Sequence, residues 1–179
     1  MKLYDGGRAP NPRRVRIFLA EKGISVPAEP VDLGAKQQKS EAFTAINPLQ
    51  RVPALVLDDG TVLTESIAIC RYFEALQPEP ALFGSGAREI ALIEMWQRRV
   101  ELNLLAAIQA VFRHLHPSMQ ELETPQIADW GEANKPRVMD FLGLLDRELA
   151  KRRFVAHDAY SVADITAMVA IDFMKPARL

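Results

Sequence analysis

Every run that reads as a β-strand in this chain lies before residue 65, and that confinement restricts the fold more than any other feature. Lys2–Tyr4 is a short apolar start, broken by Gly6-Gly7. Val15, Phe18 and Leu19 then recur at i, i+3 and i+4, and Gly23 stands where helices commonly stop, so the spacing predicts a helix. Residues 26–33, VPAEPVDL, form a second strand that two prolines confine to a sheet edge. In ALVLDDGTVLT two β-rich runs flank Asp59-Gly60, the pair that a two-residue hairpin turn requires. Ile69, Tyr72, Phe73 and Leu76 put SIAICRYFEAL on a helix that stops before Pro78.

The Pro- and Gly-rich piece QPEPALFGSG changes the character of the chain. We divide the sequence into residues 1–78, a linker over 79–86, and an all-helical part over 87–179. Residues 87–115 read as one long amphipathic helix, with Ile93, Trp96, Val100, Leu104, Val111 and Leu115 on one stripe. Leu105, Ile108 and Phe112 add a second apolar face, and Pro117 ends the helix. A second helix runs from about Ile127 to Leu149, with a bend expected at Pro136. A third begins at Ser161, where S-V-A-D forms a capping box with Asp164 and Tyr160 and Ile165 form the staple. The order β-α-β, then β-β-α, then helices alone builds a small mixed sheet with an all-α partner.

Composition excludes several classes. Of 179 residues, 49% are hydrophobic and 25% charged, a globular balance. A net charge of −1 provides no global field for nucleic acid or anionic lipid. No apolar run reaches the ~18 residues that span a bilayer, and the N-terminus lacks the apolar core of a secretory signal. The one cysteine, Cys70, excludes an internal disulfide and a C-x-x-C pair, and its apolar neighbours make it a core thiol. The expected setting is cytoplasmic, without membrane or nucleic-acid partners.

Three short pieces hold polar groups where chemistry can sit. In A-P-N-P-R-R, Asn11 is clamped between Pro10 and Pro12 at the mouth of the first helix. Either Asn11 or Pro12 merely starts that helix and the arginines face solvent, or the helix end and the arginines attract an anion. In Q-R-V-P-A-L, a Val52-Pro53 bond before a strand is either an ordinary trans start or a cis bond that frees the backbone of Val52. In T-E-S-I, Ser66 is a natural helix cap with Glu65 just outside it. That pair either only caps the helix or takes the carboxylate and ammonium of an amino-acid head group.

The joint pattern, Asn47-Pro48 with Val52-Pro53, E-S-I-A-I at Glu65–Ile69 and the Ser161–Asp164 box, resembles a cytosolic glutathione transferase over essentially the whole chain. The resemblance implies a thioredoxin-like α/β first domain and an all-α second domain. It implies a homodimer with glutathione as co-substrate, no further cofactor, no metal, and a role in detoxification. By it, Val52–Pro53 is cis and Val52 pairs its backbone with the cysteinyl part of glutathione. Glu65 and Ser66 hold the γ-glutamyl head, and Gln38, in the loop before the second helix, contacts the glycyl end. Serine-type members place a hydroxyl two residues before Asn11, where this chain has Ala9, and cysteine-type members have their cysteine at the Asn11 position. Tyr4 is out of register with the hydroxyl of tyrosine-type members. The nearest pattern is a bacterial and fungal group reading T-P-N-G, asparagine-type (nu-like), with serine-type, theta-like members beside it. Asn11 then donates its side-chain N–H to the thiolate.

Moving a thiol from pKa ~8.5 to ~6.5 needs about 2.7 kcal/mol. One charge-assisted hydrogen bond at roughly 1.5–3 kcal/mol and a helix terminus at about 0.3–1 supply it. By the same analogy Asn103, Ala107 and His114 on the long helix line the pocket for a small electrophile. His114 and His116 otherwise read as favourable charges at a helix C-terminus, and Trp96 and Trp130 as core or interface aromatics. Two rival functions use the same site: a glutathione-dependent disulfide reductase, and a binding protein without catalysis. The family usually continues past Leu179, so Ile171, Phe173 and Met174 are expected to lack cover and the helical domain to be incomplete.

Overall fold

Four short strands pair in the computed structural model, which describes every residue from Met1 to Leu179. They are β1 (Lys2–Asp5), β2 (Ala28–Pro30), β3 (Ala54–Val56) and β4 (Val62–Thr64), in the spatial order β2-β1-β3-β4. β1 and β2 are parallel, and the other two pairs are antiparallel. The proline-containing strand lies at the edge, as its missing N–H donors require. The connection from β1 to β2 is helix α1 (Pro10–Glu21), closed by Gly23 at φ +66, with Ile24 N–H reaching back to Leu19 C=O at 2.9 Å.

Leu3 of β1 faces Leu55 of β3 in register, and both are buried. Tyr4 points to the opposite face and meets Phe43 edge to face at 5.9 Å, on helix α2 (Glu41–Ile46). Its ring is therefore packing material. Helix α3 (Ser66–Leu76) follows β4 and packs beside α1. The hairpin turn is longer than two residues: Leu57 N–H donates to Thr61 C=O and Gly60 N–H to Leu57 C=O, leaving Asp58, Asp59 and Gly60 as the loop. Gly60 at φ +84 supplies the left-handed step of that loop, and Asp59 accepts from Thr61 N–H at 2.8 Å. That bond, with a second from the Thr61 side chain, holds the Asp59 carboxyl below its usual range.

The chain divides into two compact units, Met1–Leu82 and Phe83–Leu179, so the break falls inside the linker. The second unit is helical throughout. Residues 87–115 do run as one continuous helical stretch, but in three parts: α4 (Ala87–Arg99), a π-helical segment (Val100–Leu105) and α5 (Ala106–Leu115). α6 (Ala128–Leu149) carries Pro136 without interruption, and α7 (Val162–Ala177) completes the unit. At the start of α7, Asp164 accepts from Val155 N–H at 2.7 Å and from Ser161 N–H and Oγ–H at 2.9 Å each. The box thus ties down the incoming loop as well as the helix.

Trp96 is buried, with the guanidinium groups of Arg99 and Arg152 5.0 and 4.8 Å from its ring. Trp130 departs from the core reading, because it is exposed on α6. Ile171 is exposed, and Phe173 is partly covered by Phe112 at 5.1 Å. No helix is long and apolar enough to cross a membrane.

Candidate functional site

Proline decides what the mouth of α1 offers. A helix start leaves four N–H groups without intrahelical partners. Here Ala9 is the cap residue, extended at φ −62 and ψ 142, and its N–H is used by Gly6 C=O at 3.3 Å. Pro10 and Pro12 have no N–H, and Arg13 N–H closes the first turn on Ala9 C=O at 3.2 Å. The first turn therefore keeps one open backbone donor, that of Asn11. Asn11 is not the cap: it is the second helical residue, half-buried, with its own amide beside that N–H.

The arginines behind it are not a solvated face. Arg16 grips both carboxylate oxygens of Asp5 and donates to Gly7 C=O at 2.7 Å, while Asp5 accepts from Gly7 N–H at 3.0 Å. That arrangement fixes the β1–α1 loop. Arg14 has no exposed surface, and its Nη1 donates to Ser66 Oγ at 2.9 Å. The positive charge at this helix end is thus partly internal.

Ser66 also differs from expectation. It is the first residue of α3, buried, and the cap position belongs to Glu65. Glu65 holds φ +64 and ψ 117 with an exposed side chain, a conformation that costs a non-glycine residue about 1–3 kcal/mol. The amides of Ser66, Ile67 and Ala68 precede the first intrahelical bond, from Ile69 N–H to Glu65 C=O at 3.0 Å. A second positive helix end therefore opens beside a strained acidic residue.

The segment carrying Val52 is shaped by Asn47. The Asn47 side chain donates to Arg51 C=O at 2.7 Å and accepts from Leu49 N–H at 3.1 Å, and Gln50 turns at φ +54. The Val52–Pro53 bond is cis, as are Glu79–Pro80 and Thr124–Pro125. None of the loop and turn backbone bonds uses Val52. Val52 lies hard against Gly6: a β-carbon there would come within 2.5 Å of Val52 Cγ2, so only glycine fits.

These contacts bring the three sequence pieces together. Gly6, in the loop leading to Asn11, touches Val52, and Arg14, one turn past Asn11, touches Ser66. Gln38 sits in a short 3-10 turn (Gln37–Lys39) rather than in an open loop, and it is buried with its Oε1 unpartnered.

The residues named on the long helix fall differently. Asn103 lies in the π-helical segment, exposed, with its amide donating to Arg99 C=O at 2.9 Å. Ala107 is buried. His114 accepts from Ile127 N–H on Nδ1 at 3.1 Å and has Nε2 4.0 Å from Glu123 Oε1, so the ring anchors the loop that follows α5. His116 stacks on Phe112 at 4.9 Å and caps the next short turn through Ser118 N–H.

Sequence reasoning gave Arg14 a place in the positive field but no burial or partner, and Asn47 a place in the motif but no role in shaping the Val52 loop. Arg14 stands four residues before Phe18 and beside Val15, on the buried stripe, and that spacing was the available signal.

A thioredoxin-like sheet that collects two helix N-termini and a Val-Pro loop, with a helical unit behind it in the chain, defines the glutathione transferase class of fold. Residues 1–75 match the family model "Glutathione S-transferase, N-terminal domain". Glutathione S-transferase 2 of Saccharomyces cerevisiae is 36% identical over 182 residues, covering 100% of this chain and 78% of the relative. The crystal structure of a glutathione S-transferase domain-containing protein from Marinobacter aquaeolei VT8 superposes with a TM-score of 0.95 at 39% identity, over 99% of this chain and 88% of that one. Gtt2 of Saccharomyces cerevisiae superposes with a TM-score of 0.92 at 36% identity, over 98% and 86%. The chain belongs to the glutathione S-transferase family.

Proposed function

We propose that the protein is a glutathione transferase that binds glutathione on Met1–Leu82 and presents its thiolate to a small electrophile. The observation that carries this reading is the meeting of the α1 and α3 N-termini through Arg14 and Ser66. Two helix ends, each near half a positive charge, suit a ligand that carries both a carboxylate and a thiolate. Glu65 takes the ammonium and Ser66 the carboxylate of the γ-glutamyl head, the backbone of Val52 pairs with the cysteinyl unit, Pro53 holding it in place, and Gln38 meets the glycyl end.

Asn11 stabilises the thiolate with its amide and its open backbone N–H. Ala9 supplies no hydroxyl, so the protein works as an asparagine-type member. The second substrate lies along Asn103, Ala107 and His114, of which exposed Asn103 is the one a ligand in solution reaches first. The working form is a cytoplasmic homodimer that detoxifies electrophiles, with no cofactor other than glutathione.

The decisive variant is Asn11→Ala, assayed for conjugation to a chlorodinitrobenzene and for glutathione binding by calorimetry. Loss of one charge-assisted hydrogen bond lowers kcat/KM roughly 10- to 100-fold. Glutathione affinity measured below the thiol pKa stays within about threefold, because the remaining contacts carry it. Removing a stabiliser of the anion raises the thiol pKa, so the pH at which the rate levels off moves up by one to two units, from about 6.5 toward about 8.5. An unchanged rate and profile would return Asn11 to a purely structural role. Reduction of mixed disulfides without conjugation would instead assign the reductase activity, and binding with neither activity a non-catalytic protein.

A further inference from the structure

α1 and α3 face each other through two matched stripes. Along α1 and its C-cap the residues Arg14, Phe18 and Lys22 follow at i, i+4 and i+8, and on α3 the residues Ser66, Cys70 and Glu74 do the same. Arg14 meets Ser66 at one end, and Lys22 pairs with Glu74 at the other. Lys22 is buried and also donates to Gln77 C=O at 2.8 Å, Pro78 C=O at 3.1 Å and Pro80 C=O. The two helices therefore run in the same direction with their register pinned at both ends. The Lys22 end is satisfied by fixed carbonyls. The Arg14 end lies at the N-terminus of α3, against Ser66.

What Arg14 does there follows from the inventory of a hydroxyl. Serine Oγ has one proton and two lone pairs, and a guanidinium only donates. With Arg14 Nη1 on a lone pair at 2.9 Å, the Ser66 proton is left to be given away. As the first residue of α3, Ser66 has no helical carbonyl a turn behind it to take that proton. The amides of Ser66, Ile67 and Ala68, which favour an anion, belong to the same helix end as this donor. A neutral partner in place of Arg14 would let the hydroxyl turn inward and present a lone pair to the ligand. A buried cation is also costly to hold, so replacing it changes more than one contact.

We propose that Arg14 is a positioning residue that orients the Ser66 hydroxyl as a donor to the α-carboxylate of the γ-glutamyl group. This rests on the glutathione reading above. Arg14 itself touches no substrate. Its effect is confined to ligands that carry that carboxylate.

The test compares two ligands by calorimetry: glutathione, and 4-aminobutyryl-cysteinylglycine, which is glutathione without the α-carboxylate. Wild type should prefer glutathione by roughly 10- to 100-fold, the worth of a charge-assisted hydrogen bond. In Arg14→Met that preference should fall to a few-fold, with affinity for the analogue nearly unchanged, and Arg14→Lys should lie between them. Equal weakening of both ligands, or no change in the preference, overturns the proposal. If Arg14→Met does not fold, Arg14→Lys is measured alone and in Ser66→Ala. The preference should drop only where Ser66 is present, and equal drops in both backgrounds also overturn the proposal. Wild type that binds both ligands equally rejects the carboxylate placement while leaving the glutathione reading intact. Wild type that binds neither rejects both.

Discussion

Cys70 is the middle residue of the α3 stripe and has no exposed surface. Burial pushes its thiol up to about 12, with Arg14 pulling it down and Glu74 pushing it further up. A thiol whose folded value lies above its unfolded value keeps its proton longer in the native state. The stability it contributes is complete below about pH 9 and is lost as pH rises toward 12. Within that window the loss is about 1.4 kcal/mol per pH unit. Urea unfolding of wild type and Cys70→Ala at two alkaline pH values isolates this term, since other alkaline titrations are common to both. The wild type should lose about 1.4 kcal/mol more than the variant per pH unit above ~9, whatever the cavity in the variant costs. Parallel losses would mean that the thiol ionises freely in the folded state. The reading of Cys70 as an inert core residue needed only its apolar neighbours. The reading of Arg14 needed the partner helix, because nothing local in a sequence says that a charged residue on an apolar stripe will find Ser66 52 residues away.

Elements that obey a short-range rule were legible, and those set by tertiary geometry were not. Gly23, Pro78 and the proline-bearing edge strand mark their boundaries by backbone chemistry, and the structure keeps them. The hairpin was legible as a pair of strands but not in its loop length. Asp59-Gly60 suits both a two-residue turn and the last steps of a three-residue one, and Leu57 pairing with Thr61 chose the second. The π-helical segment at Val100–Leu105 leaves no mark on periodicity that a six-residue window can resolve. The strain at Glu65 was hidden as well, since its φ of +64 belongs to a β4–α3 corner one residue long that leaves no mark in residue type. The capping box at Ser161 is the strongest local signal in the helical unit, and the structure gives it more work than the sequence implied. Asp164→Ala removes the acceptor for three donors, two of them backbone N–H groups. A lost cap costs about 1 kcal/mol and a hydrogen bond to a charged group about 1.5–3, so the variant should be destabilised by roughly 2–4 kcal/mol. Asp164→Asn should recover part of that. Chemical denaturation followed by tryptophan fluorescence reads the right unit, because Trp96 and Trp130 both lie in it. A loss under about 0.5 kcal/mol would show that the box is decorative.

At the scale of the whole molecule the two units are chemically unequal, and the chain carries a separate reporter for each. All the residues assigned to glutathione, from Asn11 to Ser66, lie in Met1–Leu82, as does the single cysteine. Cys70 is buried, so an alkylating reagent reaches it only when that unit opens. A ligand that binds the folded form alone lowers the open population by the factor 1 + [L]/Kd, about 2.7 kcal/mol at a hundred times Kd. S-methylglutathione is the ligand of choice, because it keeps every contact except the thiolate and does not consume the reagent. At about a hundred times its Kd, Cys70 alkylation in moderate urea should slow roughly a hundredfold. In Glu65→Ala the same concentration should protect far less. Loss of the acid that holds the ammonium weakens binding by about 1.5–3 kcal/mol, which cuts the protection from about a hundredfold to roughly 2- to 10-fold. Relief of the φ +64 strain does not follow from that substitution, since alanine tolerates the conformation no better than glutamate. The variant therefore separates ligand contact from backbone shape. Protection that is equal in wild type and Glu65→Ala would place the ligand elsewhere on the chain, and no protection in either would remove glutathione from this site altogether.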